Sequence, residues 1–358
     1  MVLVREATAA DNAGLIELTK ATPMAGMISL CIDREPDFFR LVHLRGQGKV
    51  FVATMNHKMA GCISVSYRTV FIERKPQRVG YVCDLKVHPL YRGSRVAIDL
   101  MTELMECAKS SGVDIFFCLI ADGNTKTIPL LEGRLSVPKF HSIGKFLVYE
   151  ILPSPINPAH KVYEVHEATE EHGPEIIQMA NAFNKNYQFG LQLTGEDLKT
   201  VGSQDISVLT AHQGKTLCAT LGSFDAGSVK QNVVIDMPMA LKVAMNTMKF
   251  ASTYVPFFIL PNVERPLRML YVRTIAFTSG HEPALRILMQ KIRYRAFQEK
   301  YSFVTVGIHE KDHPLRFLVR GLPKFTFVSR GFVASLSNNE DTIERIISGI
   351  PFEDYALV

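Results

Sequence analysis

The sequence predicts an α/β protein in which a mixed sheet with flanking helices is built twice, in two tandem domains. One observation is an internal repeat, because residues 4–18 align with residues 165–179 at an offset of 161 and without a gap. A second is that the same order of strands and helices follows each copy. The third is the length of 358 residues, which suits two domains at roughly 150 residues each.

Each copy of the repeat predicts a short strand, a threonine able to cap a helix, and a helix with apolar residues at helical spacing. The identical pairs are Val4 and Val165, Glu6 and Glu167, Ala7 and Ala168, Thr8 and Thr169, and Ile16 and Ile177. After it, the first copy predicts a helix over 35–46, strands over 49–55, 59–72 and 78–87, a helix over 96–110, a strand over 114–121, a short helix over 124–133 and a strand over 142–152. The helix over 96–110 carries apolar residues on one face, as a helix packed on a sheet requires.

The second copy repeats this order. It predicts strands over 207–211, 217–224 and 269–277, a helix over 284–301, a strand over 303–308, a short helix over 314–320 and a strand over 325–334. The domains are therefore expected at 1–152 and 163–358. Residues 153–162 form a proline-rich linker, because proline removes backbone donors and suits extended chain.

The second copy also contains an insertion at about 225–268, which is rich in methionine and includes the apolar run TYVPFFILP. It suits extra core or a packed flap. It also suits the wall of an acceptor pocket or a dimer contact, since methionine side chains adapt to many surfaces. The sequence leaves these alternatives open, and with them the choice between monomer and homodimer.

Composition excludes several classes of protein. Hydrophobic residues make up 47% and charged residues 21%, so the chain is neither disordered nor fibrous. A net charge of +5 is too small for a general nucleic-acid binder. The six cysteines are scattered with no C-x-x-C pair, which favours a reducing compartment. The first residues lack a secretory signal and no apolar stretch reaches ~18 residues, so we expect a cytoplasmic protein without membrane spans.

The stretch CDLKVHPLYRGSRVA, residues 83–97, carries the strongest indication of chemistry. An apolar strand ends at Val87, and a polar loop over 92–95 leads into the long helix. Such a loop points unpaired N–H groups at the helix N-terminus, which attracts a diphosphate. Gly93 permits unusual backbone angles, and Arg92 and Arg95 add charge-assisted bonds. Residues 68–95 contain seven Lys or Arg against two acids, which suits a polyanionic ligand or a solvated hairpin with scattered charge.

VHPLYRGSRVA resembles the acetyl-CoA-binding motif of the GNAT superfamily of N-acetyltransferases, Arg/Gln-x-x-Gly-x-Gly/Ala. Arg95 departs from that pattern, because it stands where the family has its central glycine. The residues that the resemblance assigns to the loop are Arg92, Gly93, Ser94, Arg95, Val96 and Ala97. Since the strand and helix order matches in both copies, the whole chain is similar to tandem GNAT proteins.

The resemblance implies acetyl-CoA, or another acyl-CoA, as co-substrate and no metal. The pantetheine arm would run beside Leu85–Val87, and the main-chain N–H of Leu85 or Val87 would stabilise the oxyanion by analogy. An acceptor amine would attack the thioester directly, with Asp84 as the candidate base. Asp84 also suits an ordinary sheet carboxylate. Tyr81 and His88 are further candidates.

A later family segment, Asn-x-x-Ala-x-x-Leu-Tyr, aligns with residues 124–131. Asn124 is retained and would bond pantetheine or cap the short helix. Leu131 replaces the tyrosine that supplies a proton to the thiolate, so the acid is open. In the second copy the loop places Glu282 and Pro283 at the helix start, which repels an anion and removes an N–H group. We therefore expect the second copy to be degenerate, shaping the acceptor site or supporting the first.

The sequence therefore predicts an acyl-CoA-dependent N-acetyltransferase that acts on a primary amine of a small molecule or a protein. The alternative is a GNAT-derived protein that binds acyl-CoA, or acts as a scaffold, with little or no catalysis. A zinc hydrolase is disfavoured although residues 309–313 read H-E-x-x-H. That motif requires a helix, whereas here it follows a predicted strand and precedes Pro314.

Overall fold

The structure is a computed structural model that describes residues 2–24, 29–133, 137–198, 206–236, 239, 243, 247 and 265–358. The strands are β1 Val2–Glu6, β2 Ser29–Asp33, β3 Gln47–Met55, β4 Lys58–Ile72, β5 Lys75–Val87, β6 Ile115–Ala121, β7 His141–Ile151, β8 Glu164–Glu167, β9 Gly190–Leu191, β10 Ile206–Gln213, β11 Thr216–Asp225, β12 Gln231–Asp236, β13 Met269–Phe277, β14 Phe303–His309 and β15 Lys324–Ser335. The helices are α1 Asn12–Ala21, α2 Phe39–Leu44, α3 Val96–Lys109, α4 Gly173–Asn184, α5 Gly195–Leu198, α6 Glu282–Gln298 and α7 Glu340–Ser348.

One mixed sheet runs through the molecule in the order β1-β3-β4-β5-β6-β15-β7-β14-β13-β11-β10-β8, with β9 paired to β4 at its side. The two repeat copies place equivalent strands at equivalent positions counted from the two edges of the sheet. β3, β4, β5 and β6 of the first half correspond to β10, β11, β13 and β14 of the second. In both parts the strand before the long helix pairs in parallel with the strand after it, β5 with β6 and β13 with β14. The predicted α/β fold with two equivalent halves is confirmed.

The last strand of each half lies in the other half of the sheet. β15 pairs with β6, and β7 pairs with β14, while β7 and β15 pair with each other at the centre. The predicted units 1–152 and 163–358 therefore share one sheet, although residues 153–162 do connect β7 to β8. The repeat in the sequence gives no sign of this exchange, because local patterns are the same whichever sheet a strand joins.

The local signals of the repeat have the same structural meaning in both halves. Thr8 precedes a 3₁₀ turn, Ala9–Asp11, and Thr169 precedes the equivalent turn, Glu170–His172, each with a capping box. The long helix α3 buries Val96, Leu100, Met101, Leu104, Met105 and Ala108 against the sheet, on the predicted face. One apolar cluster spans both halves and includes Phe117, Phe146, Phe224 and Tyr355.

Several elements differ from the sequence expectations. The predicted short helices over 124–133 and 314–320 are 3₁₀ turns, Thr125–Leu131 and Leu315–Val319. The periodicity missed α7 and a separate two-stranded ribbon in which β2 of the first half pairs with β12 of the second. β12 belongs to the predicted insertion at about 225–268, whose TYVPFFILP run lies outside the described residues.

Candidate active site

A β-bulge in β5 shapes the site. Cys62 of β4 pairs with Lys86 and Ser64 pairs with Cys83, so Asp84 and Leu85 together face one residue of β4. Asp84 has a φ of 53°, a left-handed conformation that aspartate tolerates better than most residues. A bulge bends its strand locally, and here it turns the end of β5 away from β6.

The first wedge is the gap that opens between β5 and β6. The two strands pair only at Gly80 with Phe116 and at Tyr81 with Phe117, whose rings lie 4.9 Å apart and close the wedge at that end. From there a cleft of about 210 Å³ runs along β5. Its walls include Val82 to Lys86 from β5, Cys118 to Ile120 from β6, and Met101, Asn124, Thr127 and Leu131.

The hydrogen bonds at the end of β5 indicate which of its amides β4 uses. The N–H of His88 donates to the carbonyl of Ala60 in β4 at 2.9 Å. Because successive amides of a strand point to opposite sides, the N–H of Val87 points away from β4. Leu85 is one of the two bulge residues, where this alternation is interrupted, and it lines the wedge.

The loop before α3 follows the end of β5 and lies beyond the residues that line the wedge. Gly93 has a φ of 81°, and a Cβ placed there would meet no atom within 4 Å, so the loop surface is clear. Ser94 donates its hydroxyl to the carbonyl of Tyr91 at 2.6 Å and fixes the turn. The Arg95 side chain is 77% exposed and pairs with Asp99 at 3.4 Å along the helix surface. Arg95 therefore does not cross the loop, despite replacing the family's glycine.

Asp84 lies between two buried arginines. Its carboxylate accepts from Arg34 at 3.3 Å and from Arg45 at 3.1 Å. Burial alone would raise the pKa of Asp84, but the charges of these two arginines outweigh it and hold that pKa well below its ordinary value. A carboxylate held in this way is a weak base, so the geometry favours an electrostatic role for Asp84 over the role of base.

The remaining predicted residues differ in what they offer. Tyr81 lines the wedge, but burial raises the pKa of its hydroxyl well above the ordinary value, which disfavours proton transfer. His88 uses Nδ1 to accept from the N–H of Leu90 at 3.3 Å. Asn124 and Leu131 both line the wedge. Cys83 is close to Arg45, and burial raises the pKa of its thiol to about 12.

The second half has an equivalent bulge. Thr220 of β11 pairs with Ala276 and Gly222 pairs with Arg273, so Thr274 and Ile275 together face one residue. Thr274 has a φ of 47°, close to that of Asp84. β13 and β14 pair in parallel up to Tyr271 with Thr305 and diverge beyond this pair. This gap is the second wedge.

The chain itself fills the second wedge. Residues 352–355 line what is left of it, a cavity of about 20 Å³. Gly307 on β14 faces the ring of buried Tyr355 so closely that a Cβ would come within 2.0 Å of it. At the loop before α6, Glu282 accepts from the N–H of Gly280 at 3.3 Å and places a carboxylate at the helix start. Among the described residues of the second half, the chain therefore occupies the wedge and a carboxylate lies at the helix start.

The segment Phe352–Val358 continues from the second wedge to the first. It includes a 3₁₀ turn, Tyr355–Leu357, and Val358 lines the first wedge. Arg68 pairs with Glu353, and Arg273 pairs with Asp354 at 2.8 Å. Arg45 donates to the carbonyl of Leu357.

Of the predicted residues, Tyr81, Asp84, Leu85, Asn124 and Leu131 line the first wedge. Residues 92–97 lie outside its walls, in the loop and first turn of α3 that follow β5. The two arginines on Asp84 and the 352–358 segment were not predicted. Arg34 and Arg45 are 2% and 4% exposed, although both stand among charged and polar neighbours in the sequence. The bulge in β5 has one signal in the sequence, because Asp84 interrupts an apolar strand and aspartate tolerates the left-handed backbone that the bulge requires. Nothing in the sequence places residues 352–358 beside it.

The H-E-x-x-H motif is structural. His309 ends β14 and is buried, and its Nε2 lies 2.8 Å from the carbonyl oxygen of Ile143. No group of three or more His, Cys, Asp or Glu side chains in the described part of the chain is arranged to hold a metal ion. Among the described residues, no helix is both long and apolar enough to cross a bilayer.

Comparison with known proteins finds a family likeness in part of the first half. Residues 18–135, which contain the bulge and the loop before α3, match the model of the acetyltransferase (GNAT) family. A sequence search of curated proteins finds no match.

Solved structures with a similar fold include Saccharomyces cerevisiae N-myristoyltransferase with bound myristoyl-CoA, at a TM-score of 0.63 and 9% identity, covering 98% of this chain and 89% of that one. GCN5-related N-acetyltransferases from Anabaena variabilis and Kribbella flavida have TM-scores of 0.52 and 0.54 at 11% and 10% identity. They cover 94% and 93% of this chain, and 73% and 70% of their own. At these identities the likeness shows the fold, which is that of two GNAT-like units in tandem.

Proposed function

From the premise that residues 18–135 form a domain of the acetyltransferase (GNAT) family, we propose that the protein transfers an acetyl group from acetyl-CoA to a primary amine. The family supplies the coarse class, an acyltransferase that uses acyl-CoA. The acetyl group, the amine acceptor and the residue roles below are our proposal.

The first wedge, open along β5, is the observation that carries the proposal, together with the loop that follows β5 and leads into α3. The loop offers N–H groups at a helix N-terminus together with Arg92, which suits the diphosphate of CoA. The wedge then offers an unpaired strand edge for the amides of pantetheine. The thioester would lie at the bulge, where Leu85 lines the cleft and the N–H of Val87 points away from β4.

The reaction needs few protein groups. The neutral amine nitrogen attacks the thioester carbonyl carbon, the carbonyl oxygen gains negative charge, and the N–H of Val87 or Leu85 stabilises it. The C–S bond then breaks, the amide forms, and the thiolate of CoA takes up the proton that the amine nitrogen releases. Because Asp84 is held ionised by Arg34 and Arg45, we assign the initial loss of the ammonium proton to water in the cleft.

The dimensions of the wedge favour a short acyl group. Six residues, Val82 to Val87, lie between the closed end and the end of β5, which corresponds to about 20 Å. An extended pantetheine arm occupies most of this length. A long alkyl chain would have to continue past the buried charges of Asp84 and Arg45, and apolar groups gain little free energy beside charged groups that need their own partners.

The second half supports this site without holding a cofactor of its own. Residues 352–355 fill its wedge, and Glu282 lies where a diphosphate would bind. We therefore propose one acyl-CoA for each chain, bound to the first half.

A binding experiment tests the cofactor site. Thermal shift and calorimetry with acetyl-CoA should show stabilisation, about 2.7 kcal/mol at 100 times the Kd. Arg92→Ala should weaken acetyl-CoA binding roughly 10-fold or more, since a bond to a charged group contributes about 1.5–3 kcal/mol. Ser279→Ala, at the equivalent loop of the second half, is the matched control and should bind as the wild type does. Equal effects of the two variants would place the cofactor elsewhere.

A turnover experiment tests the reaction and the acyl group. CoA thiol release is followed with acetyl-, octanoyl- and myristoyl-CoA across a panel of small amines and peptide N-termini. We expect release with acetyl-CoA to exceed release with the long acyl chains. A preference for myristoyl-CoA would refute the short wedge, and binding without release for any amine would favour a non-catalytic acyl-CoA-binding protein.

A further inference from the structure

Lys230 is a buried lysine that the reaction above does not use. It lies just before β12 in the second half and is 4% exposed. Its Nζ donates to the carbonyl of Tyr355 at 3.0 Å and to the main-chain oxygen of Val358 at 2.6 Å. It also lies 4.2 Å from the centre of the Tyr271 ring. Burying an amine that deeply is costly, and burial lowers the pKa of Lys230 well below its ordinary value.

The two oxygens that Lys230 holds belong to the turn beside the first wedge. Between them, the carbonyl of Leu357 accepts from Arg45, which also holds Asp84 at the bulge. Lys230 of the second half and Arg45 of the first half therefore both hold the turn, through hydrogen bonds to its main-chain oxygens. A displacement of the turn would disturb Arg45 and the wall formed by Val358 together.

The position of Val358 along the wedge indicates which substrate this wall contacts. In the proposed binding mode, the loop at residues 92–95 holds the diphosphate and pantetheine runs beside the strand edge at Leu85–Val87. Val358 lines the same cleft as Arg45 and Tyr81, which stand at the closed end beyond the bulge. With the diphosphate at the loop and pantetheine along β5, the space beside Val358 is left for the acceptor.

We propose that Lys230 is a positioning residue for the amine acceptor, which it serves by fixing the turn Tyr355–Val358 as the acceptor-side wall of the first wedge. The inference rests on the proposed acyl transfer at that wedge. It assigns to the second half a specific part in a site whose cofactor lies in the first. Lys230 acts through the turn and touches neither the thioester nor the diphosphate loop.

The test compares Lys230→Met, Lys230→Arg and the control Lys215→Met. Methionine keeps the length and apolar stem of lysine but removes the Nζ donor to the two oxygens, whereas arginine keeps a donor. Lys215 lies exposed in the turn between β10 and β11 of the same half. Each protein is measured for acetyl-CoA affinity, for kcat and KM with the best amine, and for amide hydrogen exchange over residues 352–358.

Lys230→Met should bind acetyl-CoA as the wild type does and lose about 100-fold in kcat/KM for the amine, the cost expected of a misplacement near 1 Å. Exchange over 352–358 should be faster, Lys230→Arg should recover part of the loss, and Lys215→Met should show no change. Wild-type kcat/KM in Lys230→Met, or an equal loss of acetyl-CoA affinity, would overturn the proposal.

The exchange measurement needs no turnover. If the wild type acetylates no amine, the proposed function fails. Unchanged exchange in Lys230→Met overturns the positioning role whether or not the protein is active.

Discussion

Asp84 is placed where a base would be useful, yet its surroundings make it a poor one. The carboxylate compensates two buried arginines, and removing it would leave both charges without a partner. Breaking a buried ion pair in this way typically costs about 3–5 kcal/mol. We infer that Asp84 holds the bulge and its arginines in place.

Asp84→Asn distinguishes the two roles. Asparagine tolerates the left-handed backbone at this position, so the bulge itself should survive. We expect a lower melting temperature, with a pH–rate profile whose acidic limb matches that of the wild type. A variant of wild-type stability that has lost its activity would instead identify Asp84 as the base.

Glu150 is another buried carboxyl, on β7 at the centre of the sheet. Burial raises the pKa of Glu150 from 4.5 to about 7, even though Thr305 donates a hydrogen bond to it. The native state therefore keeps a proton that the unfolded state loses between these pH values. The contribution of Glu150 to the free energy of unfolding should therefore fall as the pH rises from 4.5 to 7. At 1.36 kcal/mol per pH unit, the total loss is about 3 kcal/mol.

Glu150→Gln should remove this dependence, because glutamine stays neutral at every pH. In urea unfolding, the variant should gain stability over the wild type on going from pH 5 to pH 8. Glu344→Gln on the exposed face of α7 provides the control and should follow the wild type. The same pH dependence in Glu150→Gln and the wild type would place the responsible group elsewhere.

At the scale of the elements, the same local structure gives an open cleft in the first half and an occupied one in the second. Both are opened by a bulge of two residues opposite one, with a left-handed residue at the same place. The first remains open beside a clear loop. The second is occupied by residues 352–355 and has a carboxylate at its helix start. The difference lies in what fills the gap, since the strands that form it are alike.

Gly307 is the point at which the second wedge is sealed. Gly307→Ala would drive a methyl group into the Tyr355 ring, and overpacking of this kind typically costs about 1–3 kcal/mol. We expect a lower urea midpoint, partly restored in the double variant Gly307→Ala with Tyr355→Leu. Gly195→Ala, where a Cβ meets nothing within 4 Å, should leave the midpoint unchanged. A neutral Gly307→Ala would mean that Tyr355 does not fill the wedge.

At the scale of the whole molecule, the exchange of β7 and β15 makes the two halves interdependent. Without β15, the first half would leave β6 unpaired on one side, and without β7 the second would leave β14 unpaired. Unpaired central strands promote aggregation. Residues 1–152 and 163–358 expressed separately should be insoluble, whereas their co-expression should give a soluble complex.

Size-exclusion chromatography and circular dichroism check this expectation. A soluble 1–152 fragment that binds acetyl-CoA would contradict it and would show that the first half completes its sheet alone. The intact chain is the positive control for binding.

Features set by residues close together in the chain could be predicted from the sequence, and features set by distant partners could not. Repeat, periodicity and turn chemistry are local, so they predicted the doubled plan, the buried face of α3 and the loop over 92–95. Arg45 escaped prediction because its burial depends on Asp84 and on Leu357, which lies 312 residues away in the chain. The β2–β12 ribbon and the exchanged strands escaped for the same reason, since each is defined by a distant partner.

The exchange also sets an order of events during synthesis. β6 reaches the ribosome exit long before residues 324–335, so the nascent first half carries an open sheet edge while the rest of the chain is made. That edge is exposed next to the strand that lines the cleft. We therefore expect the incomplete sheet to need protection from aggregation through most of translation. A circular permutant that begins with β15 supplies the missing strand early, and its soluble yield should depend less on chaperones than that of the natural chain order.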